Sequence, residues 1–143
     1  MARRAAVIEG LAEIPVQGFS INNFGVETAE TGISCANVVG MTFDNVLINA
    51  EKGPAMAVSD VREIEIYRFA THKPERDQPV LRFENVNDGL IQSCAAAEGT
   101  GTFLELKGGA NRDISLMANR LSRASREVDF VEGALEAALV RKS

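Results

Sequence analysis

The sequence predicts an all-β fold, a right-handed parallel β-helix of about five to six coils closed by a short C-terminal capping helix. Two observations lead there. A small polar turn followed by Val or Ala recurs at Asn37-Val38, Asp60-Val61, Asn85-Val86, Gly109-Ala110 and Gly133-Ala134, at intervals of about 23 to 25 residues. That period is too short for a helix-pair repeat and too long for a hairpin. Within each repeat the apolar residues alternate, as a half-buried strand requires, and no repeat carries the Leu-rich helical half of a leucine-rich solenoid.

The elements follow in chain order as one domain over 1–143. Residues 1–15 offer a partial first coil, residues 16–132 the coils, and residues 133–143 a helix. A first strand in each coil is read from Phe19-Ser20-Ile21, Met41-Thr42-Phe43, Ile64-Glu65-Ile66 and Ile114-Ser115-Leu116. A second strand is read from Ile33-Ser34-Cys35, Met56-Ala57-Val58, Leu81-Arg82-Phe83, Leu104-Glu105-Leu106 and Val128-Asp129-Phe130. Between them lie Gly, Pro, Thr and charged residues, which is turn chemistry. The tail Gly133–Lys142 places Leu135, Ala138 and Leu139 on one helical face, with cations in the last turn.

Stacking makes such a sequence foldable, because one coil cannot bury its apolar face alone. Coils laid about 4.8 Å apart share backbone hydrogen bonds and a continuous core. Equivalent residues then form columns. Phe19/Met41/Ile64/Ile114, Ile21/Phe43/Ile66/Ile91/Leu116 and Cys35/Val58/Phe83/Leu106 face inward. Asn23 and Asn45 occupy one corner, and Asn37, Asp60 and Asn85 another, where short amide and carboxylate side chains tolerate a tight backbone. The hand follows from the preference of parallel crossovers. Cys35 and Cys94 fall on different strands more than two coils apart, so they are expected to be buried thiols rather than a disulfide.

Composition narrows the function. With 20 acidic against 15 basic residues the net charge is −5, which argues against nucleic acid and anionic membranes as partners. No apolar run reaches the length of a membrane span or a signal peptide, and the sequence leaves localisation open. A single histidine, His72, and two separated cysteines give no metal-ligand spacing, so neither metal nor other cofactor is expected. An N-terminal coil without an evident cap leaves an open edge suited to self-association, so a homo-oligomer is expected.

The run Ile8-Glu9-Gly10-Leu11-Ala12-Glu13-Ile14-Pro15-Val16-Gln17-Gly18-Phe19-Ser20-Ile21-Asn22-Asn23, continued by Glu30-Thr31-Gly32-Ile33-Ser34-Cys35-Ala36-Asn37-Val38-Val39-Gly40-Met41-Thr42-Phe43-Asp44-Asn45-Val46, resembles the closing coils of bacterial polygalacturonases. Those are pectin-degrading glycoside hydrolases of the pectin-lyase-like right-handed β-helix superfamily. The resemblance implies an acidic polysaccharide as partner and secreted or periplasmic relatives. It does not extend to a catalytic site. The family's Asn-Thr-Asp, Asp-Asp, Gly-His-Gly and Arg-Ile-Lys motifs are all missing, and no two aspartates are adjacent. No catalytic residue is therefore assigned, and the chain reads as a truncated or degenerate member.

The residues that invite a binding role are His72, Lys73 and Arg76, in the longest polar loop, where three cations suit a uronate carboxylate. The competing reading is a solvated turn. Arg62, Arg68, Arg82, Arg112, Arg120, Arg123 and Arg126 form either a cationic stripe or ordinary surface charge balance. Glu63 and Glu65 are either an acid/base pair or solubilising positions beside Ile64 and Ile66. Gly99-Thr100-Gly101 and Gly108-Gly109 precede no phosphate-loop lysine and read as tight corners. Three functions remain open: a polygalacturonase-like carbohydrate-active protein, a non-enzymatic binding or structural module assembling through its open end, and an enzyme whose site forms only between subunits.

Overall fold

The computed structural model describes residues 2–142 and forms a parallel β-solenoid of about five turns. Its ladder strands are β1 (Ala2–Glu9), β2 (Val16–Ala70), β3 (Leu81–Gln92), β4 (Thr102–Lys107), β5 (Arg112–Met117), β6 (Arg126–Val131) and β7 (Leu139–Lys142). Every pairing between them is parallel. The 55 residues of β2 are one unbroken ladder that travels round more than two coils. Parallel stacking lets alternating segments joined by short corners bury one side and satisfy their backbone with the coils above and below.

The register aligns the inward columns. Val58, Phe83, Leu106 and Phe130 succeed one another in the second-strand column, and Ile66, Ile91 and Leu116 in the first-strand column. Beside the latter run Ile64, Gly89, Ile114 and Leu139. Phe43, Phe69, Phe83 and Phe103 fill the middle and are fully buried, each contributing roughly 1.5–3 kcal/mol by leaving water. Gly89 interrupts the isoleucines for a packing reason. A Cβ there would lie 3.1 Å from Ile114 Cδ1 and 3.4 Å from both Ile64 Cγ2 and the Phe83 ring, so its neighbours already fill the space.

The corners turn on residues with left-handed backbone. Asn23, Asn45, Arg68, Ser93 and Ala118 have φ between 52° and 59°, and Asn37, Asp60 and Asn85 between 55° and 56°. Asn and Asp visit this region at lower cost than other L-residues, which explains their recurrence. They also bond up the stack: Asn45 Nδ2 donates to Asn23 Oδ1 at 2.9 Å, and Asn85 Nδ2 to Asp60 Oδ1 at 2.7 Å. The sequence reading set Gly109 and Gly133 in the second of these corners. The register instead places Gly108 and Glu132 there, directly after the paired Lys107 and Val131.

The shift has a cause. β3 pairs with β4 at an offset of 23 residues, as in Leu81↔Leu104, and with β5 at an offset of 25, as in Gly89↔Ile114. Two extra residues are thus absorbed at the corner of residues 108–111, and Asn111 takes the inward place that Val86 holds one coil earlier. Asn111 is buried and replaces the lost ladder bonds with its side chain. Its Oδ1 accepts from the Val86 N–H at 2.9 Å, and its Nδ2 donates to the carbonyls of Phe83 at 3.2 Å and Lys107 at 3.1 Å.

The expected C-terminal helix is not formed. Glu136–Ala138 makes a single 3-10 turn, and Leu139–Lys142 then continues as β7 paired to β5. An isolated helix of ten residues is marginal in water, whereas the free edge of β5 offers a parallel partner and the isoleucine column offers Leu139 a place. Ala138 is buried, but Leu135 remains 59% exposed. The two ends of the stack consequently carry half-buried core residues, Phe19, Ile21, Phe24 and Val26 at one and Val128 and Phe130 at the other. Among the described residues no helix is long and apolar enough to cross a membrane.

Two substitutions test this account by chemical denaturation. Ile66→Asp is expected to cost several kcal/mol, because it places a carboxylate without a partner in a dry column. Asn111→Val adds an apolar side chain to an apolar column, yet is expected to destabilise by about 1–3 kcal/mol, since the Val86 N–H and two carbonyls lose their partner. Unchanged or increased stability of the valine variant would refute the role given to Asn111.

Candidate binding groove

The loop of residues 71–80 leaves the ladder after β2 and is fastened by one buried side chain. Asn49, in the coil before, donates from Nδ2 to the Glu27 carbonyl at 3.0 Å. Its Oδ1 accepts from Thr71 Oγ1 at 3.2 Å and from the backbone N–H groups of His72 at 2.8 Å and Lys73 at 3.3 Å. At the far side of the loop, Gly101 approaches Arg76 so closely that a Cβ would meet the Arg76 carbonyl oxygen at 2.2 Å. The loop is thus a fixed ledge.

His72, Lys73 and Arg76 all lie on this ledge and are exposed. Lys73 borders a cleft of about 290 Å³ together with Glu27, Glu51 and Glu75. Three carboxylates around one ammonium make that cleft a poor receptor for a second anion. The site that the sequence suggests therefore has mixed rather than cationic surroundings at Lys73.

Of the seven arginines singled out in the sequence, three are held in ion pairs and four, Arg62, Arg112, Arg120 and Arg123, are not, among the described residues. Arg68 pairs with Asp44 of the preceding coil at 2.6 Å, Arg82 with Glu105 of the following coil at 2.7 Å, and Arg126 with Asp129 at 2.9 Å. For these the charge-balance reading holds. Arg62 and Arg112 have no ion-pair partner among the described residues. Both line an open groove of about 560 Å³ that runs along the corner of the solenoid, with Asn37, Asp60, Asn85 and Asn87. The register sets Arg62, Asn87 and Arg112 in one row on successive coils. Asn37, Asp60 and Asn85 form the parallel row at the left-handed corner. The groove therefore offers two arginines whose backbones stand two coil rises, about 10 Å, apart, beside amides and one carboxylate.

Glu63 and Glu65 do not form an acid/base pair across a gap. Glu63 lies at a left-handed corner (φ 60°), while Glu65 accepts a hydrogen bond from Tyr67 Oη on the outer face of the same strand. That bond, followed by burial and the charges of Glu65 and Asp44, raises the Tyr67 hydroxyl above its ordinary pKa. Among the described residues no group of three His, Cys, Asp or Glu side chains is placed to hold a metal ion.

Cys35 and Cys94 are free and buried. Burial pushes the Cys35 thiol up to about 12 and the Cys94 thiol up to about 11, the latter against the lowering effect of backbone N–H groups from Phe69 and Arg68. Neither is a nucleophile at neutral pH.

Comparison with protein-family models, with curated proteins and with solved structures finds no match to this chain. The groove's identity rests on its own residues. Sequence reasoning named Arg62 and Arg112 among seven arginines but not the groove, although both sit two residues before an inward isoleucine, Ile64 and Ile114. That shared offset is the signal that places them in one row.

The thiols supply a pH prediction. An unfolded thiol titrates near 8.5, so above that pH the unfolded chain has lost protons that the folded chain still holds. Stability is expected to be level in this respect below pH 8.5 and to fall from there until pH 11 to 12, by up to about 1.4 kcal/mol per pH unit for each thiol. Urea titrations of the Cys35→Ala, Cys94→Ala double variant should show a shallower decline over that window than the parent.

Proposed function

We propose that this protein is a polygalacturonase-like β-helix that binds an acidic polysaccharide without cleaving it through its own side chains. The observation that carries this reading is a repeating polar surface on a rigid parallel stack, with donors and acceptors in rows that follow the coil axis. The sequence resemblance, most specific over residues 8–66, points toward the family, and rows of amide, guanidinium and carboxylate groups suit a polyhydroxylated anionic chain. Hydrolysis with inversion needs an acid and a base facing one another with a water between them. Asp44, Asp60 and Asp129 are instead engaged by Arg68, Asn85 and Arg126.

A second reading is favoured by the half-covered core residues at both ends of the stack, Phe19 and Ile21 at one and Val128 and Phe130 at the other. On that reading the chain is a structural module that assembles end to end into a homo-oligomer.

The discriminating experiment incubates the purified protein with polygalacturonate and follows polymer binding, reducing-end release and sedimentation together. Binding without release is the expected result. Release would overturn the non-hydrolytic assignment, and absence of both, with concentration-dependent oligomers, would replace it by the assembly module.

A further inference from the structure

We propose that the corner groove holding Arg62, Asn87 and Arg112 is a binding site for an extended polyanionic glycan that engages two coils at once. The inference deepens the reading above, but it locates the site away from the His72–Arg76 loop.

Four observations converge on the groove. First, five cations are held by carboxylates: Lys52 lies against Glu30, Arg68 against Asp44, Arg82 against Glu105, Lys107 between Glu84 and Glu132, and Arg126 against Asp129. Arg62 and Arg112 are exposed and lack such a partner among the described residues, in a protein whose net charge is −5. Second, the two are not scattered. Backbone pairing of Arg62 with Asn87 and of Asn87 with Arg112 sets their backbones two coil rises, about 10 Å, apart, a span the two side chains can match. Third, they line a common open groove of about 560 Å³ whose lining does not include the acidic residues that follow them, Glu63 and Asp113. Fourth, the floor between them is a bonded polar row. Asn85 Nδ2 donates to Asp60 Oδ1, which holds both side chains in place and leaves the second carboxylate oxygen as an acceptor for a hydroxyl.

This set of groups specifies a ligand class. Each guanidinium offers a planar fork to a carboxylate or a sulfate. Asn37, Asn85 and Asn87 offer donors and acceptors to hydroxyls, and Asp60 an acceptor only. Two anionic groups on one chain, about 10 Å apart, gain from being held on a rigid frame, because the second contact forms intramolecularly once the first is made. A neutral glycan lacks the anions, and a ligand short enough to reach one arginine lacks the second contact.

The test uses the full chain and three immobilised polymers: polygalacturonate, a sulfated glycan of heparin type, and neutral dextran. Arg62→Gln and Arg112→Gln are each expected to weaken binding of at least one anionic polymer about tenfold. The double variant should bind the anionic polymers no better than it binds dextran. Arg123→Gln, an exposed arginine outside the groove, and Lys73→Gln, on the loop, should change affinity less than twofold. Circular dichroism should be the same for all variants, since these side chains are exposed. Binding of the sulfated polymer alone, sensitive to Arg62 and Arg112, would remove the polygalacturonate reading and leave this proposal standing. Binding of any anionic polymer that is indifferent to both arginines, or no binding by the parent protein at all, would overturn it.

Discussion

The structure depends on backbone hydrogen bonding between coils, made in a direction that the side chains do not control. A parallel ladder accepts one register per rung, and each coil must therefore return to its starting point after nearly the same number of residues. Left-handed corners meet this demand within the ladder itself, which is why β2 passes round more than two coils without losing its bonds. Where a coil carries surplus residues, the surplus leaves the ladder and has to be tied back. Asn49 does so for residues 71–80 and Asn111 for the corner at 108–111. Both amides are buried, so their bonds are made where water does not compete, and leaving them unmade would be costly.

The same constraint organises the surface. Side chains one coil apart lie a single rise from each other, so residues some 22 to 25 positions apart in sequence become nearest neighbours. The contacts of Lys52 with Glu30, Arg68 with Asp44, Arg82 with Glu105 and Asn85 with Asp60 all span one coil. Most are exposed pairs that add little stability individually. Their larger effect is to neutralise charge locally, and among the described cations left without an ion-pair partner Arg62 and Arg112 are set apart by sharing one row and one groove.

Much of the fold was legible in the sequence because period and alternation report directly on the ladder. The columns through Val58, Phe83 and Leu106 and through Ile66, Ile91 and Leu116 follow from counting. The corner of the fourth coil was not, since Gly108-Gly109-Ala110-Asn111 contains a turn signal but no mark of which glycine holds the row. Leu135 and Leu139 suit a helix face by spacing, while the competing partners on the edge of β5 lie 25 residues back in sequence and are invisible to a local pattern. The groove escaped for a related reason. Its row joins Arg62, Asn87 and Arg112, and an asparagine between two arginines reads as a cationic row only after the register is known.

A stack of this kind also limits what chemistry its residues can perform. Outward groups on neighbouring rungs of one column are about 4.8 Å apart and those on alternate rungs about 10 Å apart, and inverting hydrolysis asks for carboxyl groups roughly 6.5–9.5 Å apart. The backbone rises within one column bracket that range without matching it, so two columns supply such a separation more directly than one. Asp44 is held by Arg68 and Asp129 by Arg126, while Asp60 is bonded within its own corner row. Glu63, Asp88 and Asp113, each at a left-handed corner, have no ion-pair partner among the described residues. The rows repeat polar groups at every rise, so whatever lies along the coil axis meets similar chemistry at each step.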